Sequence, residues 1–278
     1  MPLPFPAIDA WVNPNLATDV PADRDVDYLF PGLAERRRKG TSLDELVAEM
    51  DEAGVEKAVL AAGYGEVDDR DWVVKALDAY PERFAGSLVV DPRRGMDAVR
   101  EVEFFARNHN FRMVRLLGFV TQLPYDHAYY FPIYARCVDL GLVCGVNVGI
   151  PGPRVPGKHQ HPLAIDEVCY HFPELKLVFS HGGEPWANLC VKLMLKWPNL
   201  HYMTSAFAPR HLPEEIVQYV NTRGTDRVMW ASDYPLLTFA RCLEEIGAMP
   251  LRDEERRRKF ARENALRLFW PEQNPGDS

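Results

Sequence analysis

The chain has 278 residues, of which 47% are hydrophobic, and a formal net charge of −8 at pH 7. This length and composition suit one large domain with a sizeable core, and the acidic balance argues against non-specific binding to nucleic acid. No apolar run approaches the roughly 20 residues that a membrane-spanning helix needs, so the sequence predicts no membrane partner.

The five cysteines contain no Cys-x-x-Cys pair, which is typical of buried thiols in a reducing compartment. The first six residues, Met1–Pro6, lack the basic start and long apolar core of a signal peptide. We therefore predict a cytoplasmic protein. The sequence leaves a homo-oligomer open.

Short apolar runs alternate with amphipathic segments along the whole chain. The predicted strands are Ile8–Asn13, Val55–Ala61, Phe84–Val90, Arg112–Leu117, Leu142–Val148, Leu175–Ser180, His201–Ser205 and Arg227–Ser232. The predicted helices are Ser42–Ala53, Asp69–Ala79, Met96–Asn108, Phe131–Leu140, Leu163–Phe172, Trp186–Trp197, Pro213–Arg223 and Arg252–Phe269. Ser42 and Glu45 have the spacing of a capping box at the start of the first helix. Strands that alternate with helices in this way indicate parallel pairing through crossover connections.

Eight such units predict a single (β/α)8 barrel that spans residues 1–278. An open doubly wound sheet is the alternative, but it usually has a glycine-rich phosphate loop after its first strand, and none is seen in this sequence. Two long connections, Pro14–Gly40 and Gly149–His161, follow strands and are expected to border the active-site face of the barrel. The basic run Arg36–Lys39 is interpreted as a solvated loop or helix end.

Polar side chains follow most of the predicted strands, at the end where barrel enzymes place their catalytic groups. Asp233 could take a proton from water or substrate, and His181 could donate a hydrogen bond or bind a metal. Arg115 could pair with a substrate carboxylate through its planar fork, and Asn13 and Asn147 could hydrogen-bond a polarised carbonyl. The other candidates at strand ends are Trp11, Tyr64, Asp91, and Thr204 or Ser205. In the second long loop, Arg154, His159 and His161 could reach a bound substrate.

Several of these segments resemble the amidohydrolase-related family, in the branch of aminocarboxymuconate-semialdehyde decarboxylase. The segments are Phe111–Arg115, Ser180–Gly183, Lys196–Asn199, Met203–Ser205 and Trp230–Pro235, and the resemblance covers nearly the whole chain. It implies a (β/α)8 barrel, often a divalent metal, and hydrolysis or non-oxidative decarboxylation of small carboxylates.

The sequence departs from this family at the metal ligands. The first strand normally has His-x-His, but these positions hold Trp11 and Asn13, and Asn147 stands at the position of the fifth-strand histidine. Only His181 and Asp233 remain of the usual ligands, whereas a catalytic zinc site uses three protein ligands. The resemblance thus leads to a site without a metal cofactor, as in related lactone-cleaving members of the superfamily.

The resulting hypothesis is an enzyme that hydrolyses an ester or lactone bearing a small anionic group. Asp233 would act as general base, while His181 and the asparagines would polarise the carbonyl. The expected substrate-binding residues are Trp11, Asn13, Tyr64, Arg115, Asn147 and Arg154. One alternative is a decarboxylase with a divalent metal such as zinc on His181, Asp233 and a loop histidine. Another is an inactive barrel that only binds ligands.

Overall fold

A computed structural model of the chain describes residues 3–18, 26–64 and 68–273. Within these ranges, eight parallel strands pair in the order β1 to β8, and helices lie between them, so the predicted (β/α)8 barrel is confirmed. The strands are β1 (Ala7–Val12), β2 (Val55–Ala62), β3 (Phe84–Val89), β4 (Phe111–Leu116), β5 (Val143–Asn147), β6 (Lys176–Ser180), β7 (Leu200–Met203) and β8 (Val228–Met229).

The helices begin and end within a few residues of most predicted bounds, as helix assignments usually do. They are α1 (Leu33–Lys39), α2 (Leu43–Ala53), α3 (Arg70–Ala79), α4 (Met96–Asn108), α5 (Gly118–Thr121), α6 (Phe131–Asp139), α7 (Ala164–His171), α8 (Ala187–Lys196), α9 (Glu214–Val220), α10 (Phe239–Ala248), α11 (Glu254–Arg258) and α12 (Asn264–Phe269). The capping box of α2 is confirmed, because the Ser42 hydroxyl accepts the Glu45 amide and the Glu45 carboxylate accepts the Ser42 amide. None of the described helices has the length and apolar character needed to cross a membrane.

The interior of the barrel is a packed core of apolar side chains from all eight strands. Its members from the strands and their ends are Ile8, Ala10, Trp11, Val59, Ala85, Met113, Val143, Val178, Met203, Met229 and Ala231. Leu266, Phe269 and Trp270, at the end of the chain, belong to the same buried cluster. A filled interior leaves the loops after the strands as the place for a site.

The structure corrects the sequence-based elements in two places near the C-terminus. The helix after β8 is α10, which was not predicted, and its buried side chains include Phe239, Cys242 and Ile246. The predicted closing helix Arg252–Phe269 is divided, because a wider π-helical turn at Lys259–Glu263 separates α11 from α12.

A third correction concerns the first long connection. It contains helix α1, and Arg36 on this helix donates to the carbonyl oxygens of Pro235 and Leu236, each at 3.2 Å. The basic run forms the last turn of α1, so its interpretation as a helix end is confirmed, but Arg36 is held by these two contacts and is not simply solvated. It ties the loop after β1 to the loop after β8, on the face where the strands end. Residues 19–25 of this connection lie outside the described residues.

The barrel closes between β1 and β8 through an irregular seam. The Asp9 carboxylate oxygen Oδ1 accepts the backbone amides of Trp11 and Ser232, each at 3.0 Å. The Asp233 amide then donates to the Trp11 carbonyl at 3.0 Å. Because a side chain replaces a ladder carbonyl here, the regular part of β8 covers only Val228–Met229 rather than the predicted Arg227–Ser232. The seam holds the ends of the first and last strands in register.

Candidate active site

The carboxyl ends of the strands surround a cavity of about 940 Å³. Seven of the residues expected from the sequence line it, and they come from six different strand ends: Trp11, Asn13, Tyr64, Arg115, Asn147, His181 and Asp233. Tyr64 forms part of an aromatic wall, since its ring lies 5.9 Å from the ring of Phe119, with the planes perpendicular. The cavity therefore combines aromatic walls with a few converging polar groups, as small-molecule sites do.

Two of these residues follow their strands in a backbone conformation that non-glycine residues rarely adopt. His181 has φ 64° and Asp233 has φ 58°, both in the left-handed region. Such positions cost roughly 1–3 kcal/mol each and concentrate at functional sites. After His181, Gly182 also has a positive φ, and a Cβ atom there would lie 2.1 Å from the ring of Phe207, which lines the cavity. These turns place the two side chains at the cavity instead of continuing the strands.

Asn13 connects the first strand to Asp233 through its side-chain amide. Trp11 Nε1 donates to Asn13 Oδ1 at 3.1 Å, and because an indole nitrogen can only donate, this contact fixes which end of the amide is oxygen. The Asn13 Nδ2 group therefore faces Asp233 and donates to its Oδ1 at 2.6 Å and to the Tyr234 carbonyl at 2.8 Å. One carboxylate oxygen of Asp233 is thus held in place while the other is left for chemistry.

His181 lies against the second oxygen of Asp233. Its Nδ1 is 3.6 Å from Asp233 Oδ2 and 3.2 Å from the hydroxyl oxygen of Ser205. Ser205 also accepts the backbone amide of His181 at 3.1 Å. Burial lowers the pKa of His181, and the nearby Arg115 cation lowers it further, although Asp233 opposes both effects. The imidazole is therefore neutral near pH 7 and can exchange a proton with the carboxylate.

Arg115 brings a buried positive charge to the base of the cavity. Its residue is only 3% exposed, and its guanidinium carbon lies 3.3 Å from the centre of the Trp11 ring, a cation–π contact. Nε and Nη1 have no hydrogen-bond partner among the described residues. Burial lowers the pKa of Arg115 to about 9, while the carboxylates of Asp233 and Asp69 oppose that shift. The group stays charged at neutral pH, and the residue lines the cavity, where its charge can attract an anion.

Asp69 is a cavity residue that the sequence analysis interpreted only as the beginning of a helix. Its Oδ1 accepts the backbone amide of Gly63 at 2.6 Å, and the residue is 7% exposed. Burial raises the pKa of Asp69, whereas that amide and the Arg115 cation lower it. An acidic residue seven positions after the end of the buried strand β2 was the available signal, but its spacing fitted a helix cap equally well.

Asn147 has one end of its side chain engaged within the barrel wall. Its Oδ1 accepts the Ser180 hydroxyl at 3.0 Å, so the amide nitrogen remains as a donor on a residue that lines the cavity. Tyr125 fixes the backbone at this point by donating to the Asn147 carbonyl at 2.6 Å. Asn147 can therefore donate a hydrogen bond to a substrate oxygen.

The remaining candidates have contacts of their own. The Arg154 guanidinium carbon lies 4.7 Å from the centre of the Tyr28 ring, and the His161 ring lies 4.5 Å from that of Trp186. Asp91 caps a short turn and pairs with Arg93 at 2.7 Å. The Thr204 hydroxyl accepts the amide of Ala231. The His159 carbonyl lies so close to Gly118 that a Cβ atom there would clash with it. None of the five residues Asp91, Arg154, His159, His161 and Thr204 belongs to the described lining of the cavity.

The donor set does not fit the metal centre that the family resemblance implies. Among the described residues, no group of three His, Cys, Asp or Glu side chains could hold an ion. At the two first-strand positions, Trp11 and Asn13 present N–H donors where metal-binding histidines would present nitrogen lone pairs, and the Asn13 amide donates to Asp233. The Arg115 cation stacks on the same Trp11 ring, so a second cation there would meet a like charge.

Comparisons with known proteins agree with this architecture. A model of the Amidohydrolase family matches residues 8–270, whereas no curated protein sequence matches the chain. An uncharacterised TIM-barrel protein from Bordetella bronchiseptica superposes with a TM-score of 0.78 at 23% identity, over 96% of this chain and 99% of that one.

Two other similar structures have functional names. A dihydroxybenzoic acid decarboxylase from a Polaromonas species, with bound manganese and the inhibitor 2-nitroresorcinol, gives a TM-score of 0.70 at 20% identity, over 97% of this chain and 98% of that one. A probable 2-pyrone-4,6-dicarboxylic acid hydrolase from Acinetobacter baumannii, with citric acid bound, gives 0.68 at 15% identity, over 95% and 99%. At these identities the likeness concerns the fold.

Proposed function

The chain belongs to the amidohydrolase family, and we propose that it is an enzyme that decarboxylates a small planar carboxylate. The observation that carries this proposal is the pairing of Asp233, a carboxylate with one fixed and one available oxygen, with the buried cation of Arg115 in one cavity. The dihydroxybenzoic acid decarboxylase among the similar structures supports this reaction over the hydrolysis that the sequence suggested.

Binding would rest on Arg115 and the aromatic walls. Arg115 lines the cavity, and its charge lies in a buried site where water screens it little, so the planar guanidinium can pair with an acidic oxygen of the substrate. Trp11 lies beneath the guanidinium, and Tyr64 and Phe119 form a wall beside the cavity. These flat surfaces favour an aromatic or conjugated acid.

Proton transfer would rest on Asp233 and His181. Decarboxylation breaks the bond between the carboxyl carbon and the ring, and the ring carbon gains a proton as carbon dioxide leaves. Asp233 in its acid form would supply that proton. His181, with Nδ1 3.6 Å from Asp233 Oδ2, would return a proton from solvent.

Hydrolysis of a lactone or ester is the second candidate. The donors of Arg115 and Asn147 suit a carbonyl oxygen that becomes negative in the transition state, and one similar structure is a probable pyrone hydrolase. Here Asp233 would act in the opposite sense, as a carboxylate that takes a proton from the attacking water. The two reactions therefore require different protonation states of the same residue.

The test is a turnover screen followed by a pH profile. Dihydroxybenzoates and 5-carboxyvanillate would be assayed for carbon dioxide release, and 2-pyrone-4,6-dicarboxylate for ring opening, with and without added manganese. Decarboxylation with Asp233 as the acid should lose kcat at high pH, whereas hydrolysis with Asp233 as the base should lose kcat at low pH. Ligand binding without turnover on any of these compounds would favour the inactive barrel.

A further inference from the structure

A second group of cations lies at the mouth of the same cavity. Arg210 is in the turn Pro209–His211 after β7, and Arg241 is in the first turn of α10. Both line the cavity, and their side chains are 61% and 42% exposed. Arg115, at 3% exposure, lies at the buried base, so the cavity has cations at both its inner and its outer end.

Glu245 orients the two outer guanidinium groups. Its Oε1 lies 2.9 Å from Arg241 Nε and 3.5 Å from Arg210 Nε, and its Oε2 accepts the backbone amide of Arg210 at 3.2 Å. The Glu245 side chain is itself only 13% exposed. Arg210 Nε also donates to His211 Nε2 at 3.1 Å. All of the side-chain contacts use Nε of the two arginines, so their Nη nitrogens have no partner among the described residues.

This arrangement differs from an ordinary surface ion pair in its charge balance. Among the described residues, one carboxylate serves two guanidinium groups, so positive charge is in excess in this group of contacts. Arg37 also lines this cavity. Two oriented guanidinium forks match the oxygens of a carboxylate or phosphate. The cavity volume of about 940 Å³ lies near the top of the range of roughly 300–1,000 Å³ for ligand pockets, so it can hold more than a single ring.

We propose that Arg210 and Arg241 form a second anion site for an acidic group at the outer end of the substrate. The substrate would be an elongated molecule with two acidic ends, one at Arg115 and the other, a carboxylate or phosphate, at the outer pair. This inference rests on the proposed function, because that function places the reacting acid at Arg115. Glu245 acts as a positioning residue for the pair.

The test compares acids of increasing length by titration calorimetry. Benzoate, cinnamate and biphenyl-4-carboxylate would each be paired with the diacid of the same frame: terephthalate, 4-carboxycinnamate and biphenyl-4,4′-dicarboxylate. At one length the diacid should bind about tenfold or more tightly than its monoacid, since hydrogen bonds to charged groups have this strength. The advantage should decrease as salt is added. Replacing the outer carboxylate by a phosphonate shows which oxyanion the pair prefers.

Matched variants separate the two ends of the cavity. Arg241→Gln and Arg210→Gln should reduce the diacid to the affinity of the monoacid and leave the monoacid unchanged. Arg100→Gln, which removes an exposed arginine paired with Asp97 outside the cavity lining, should change neither. Equal affinities of diacids and monoacids at every length would overturn the second site alone, provided that the monoacids bind and Arg115→Lys weakens them. If no acid binds, both this inference and the proposed function are wrong.

Discussion

The side-chain amide of Asn13 donates to Asp233 Oδ1 at 2.6 Å, across 220 positions of sequence. The bond joins the ends of the first and last strands at the base of the cavity. It fixes the orientation of the Asp233 carboxylate. In the family that the sequence resembles, His-x-His at these strand positions would instead help to hold a metal ion. Asparagine suits this position because its side-chain amide accepts from Trp11 Nε1 and donates both to Asp233 and to the Tyr234 carbonyl.

Asp233→Asn should reduce turnover by about 10²–10⁴-fold, because asparagine has nearly the same shape but cannot transfer the proton. Asn13→Ala is the matched variant, since it removes the hydrogen bond and keeps the carboxylate, and it should lose less activity. Both are measured as kcat on the substrate found in the screen, with the melting temperature as a check on folding. A wild-type rate in Asp233→Asn would make Asp233 a structural residue.

Arg115→Lys should raise KM much more than it lowers kcat. Lysine keeps the charge, but it loses the planar fork and the stacking contact with Trp11 that lies at 3.3 Å. Steady-state kinetics on an anionic substrate check this, with Trp11→Phe as a comparison that keeps a ring under the cation. If KM is unchanged, or if the variant does not fold, Arg115 serves the barrel and not the substrate.

The protein should contain no stoichiometric zinc or manganese. Of the usual ligands only His181 and Asp233 remain, and the two first-strand positions have an indole and an amide donor in place of imidazole ligands. Elemental analysis of protein purified without chelator, and again after incubation with each metal and desalting, measures this directly. One tightly bound ion per chain, lost together with activity on chelation, would contradict the prediction. In that case His161→Ala tests whether the loop histidine is the third ligand.

The Gly149–His161 loop should act as a wall of the site that closes over substrate. Its base is held by Gln160, whose side chain donates to the Gly149 carbonyl at 3.0 Å and whose carbonyl accepts the Gly149 amide at 3.1 Å. Removing part of 153–158 leaves this base intact and should lower kcat/KM far more than the melting temperature. Arg154→Ala in the full-length loop serves as a control for the stacking of Arg154 on Tyr28. Full activity of the shortened protein would show a passive connection.

Asp9→Asn should make stability less dependent on pH. Burial raises the pKa of Asp9 to about 7, against the amide bonds from Trp11 and Ser232 that lower it. Because the pKa of Asp9 is higher in the folded than in the unfolded chain, the stability that depends on its protonated form is fully present below about pH 4. The free energy of unfolding then falls by on the order of 4 kcal/mol as pH rises to about 7. Asparagine keeps the acceptor oxygen and carries no charge.

The melting temperature of Asp9→Asn relative to wild type should therefore increase between pH 5 and pH 8. Because the two proteins differ only at residue 9, the effects of pH on the rest of the chain cancel in this difference. A constant difference across that range would show that Asp9 does not change its protonation there.

The strands were predictable because a barrel strand is buried on both faces and therefore consists of a short run of apolar residues that can be recognised in the sequence. The turn residues His181 and Asp233 were recognisable for the same reason, since a titratable residue at the end of such a run stands out. Helix α10 was missed although Phe239, Cys242 and Ile246 have helical spacing. The long charged segment after it, which divides into α11 and α12, gave the stronger signal.

The sequence by itself determined the barrel, the order of its strands and most of the side chains at their ends, because these follow from hydrophobic periodicity over a few residues. Only the tertiary structure decided which polar groups meet. Asp69 comes close to Arg115, Arg36 binds the carbonyls after β8, and Glu245 unites Arg210 with Arg241. These contacts depend on how the barrel closes and how its loops pack over it, and the energy of a buried charge or hydrogen bond depends on that geometry rather than on neighbours in sequence.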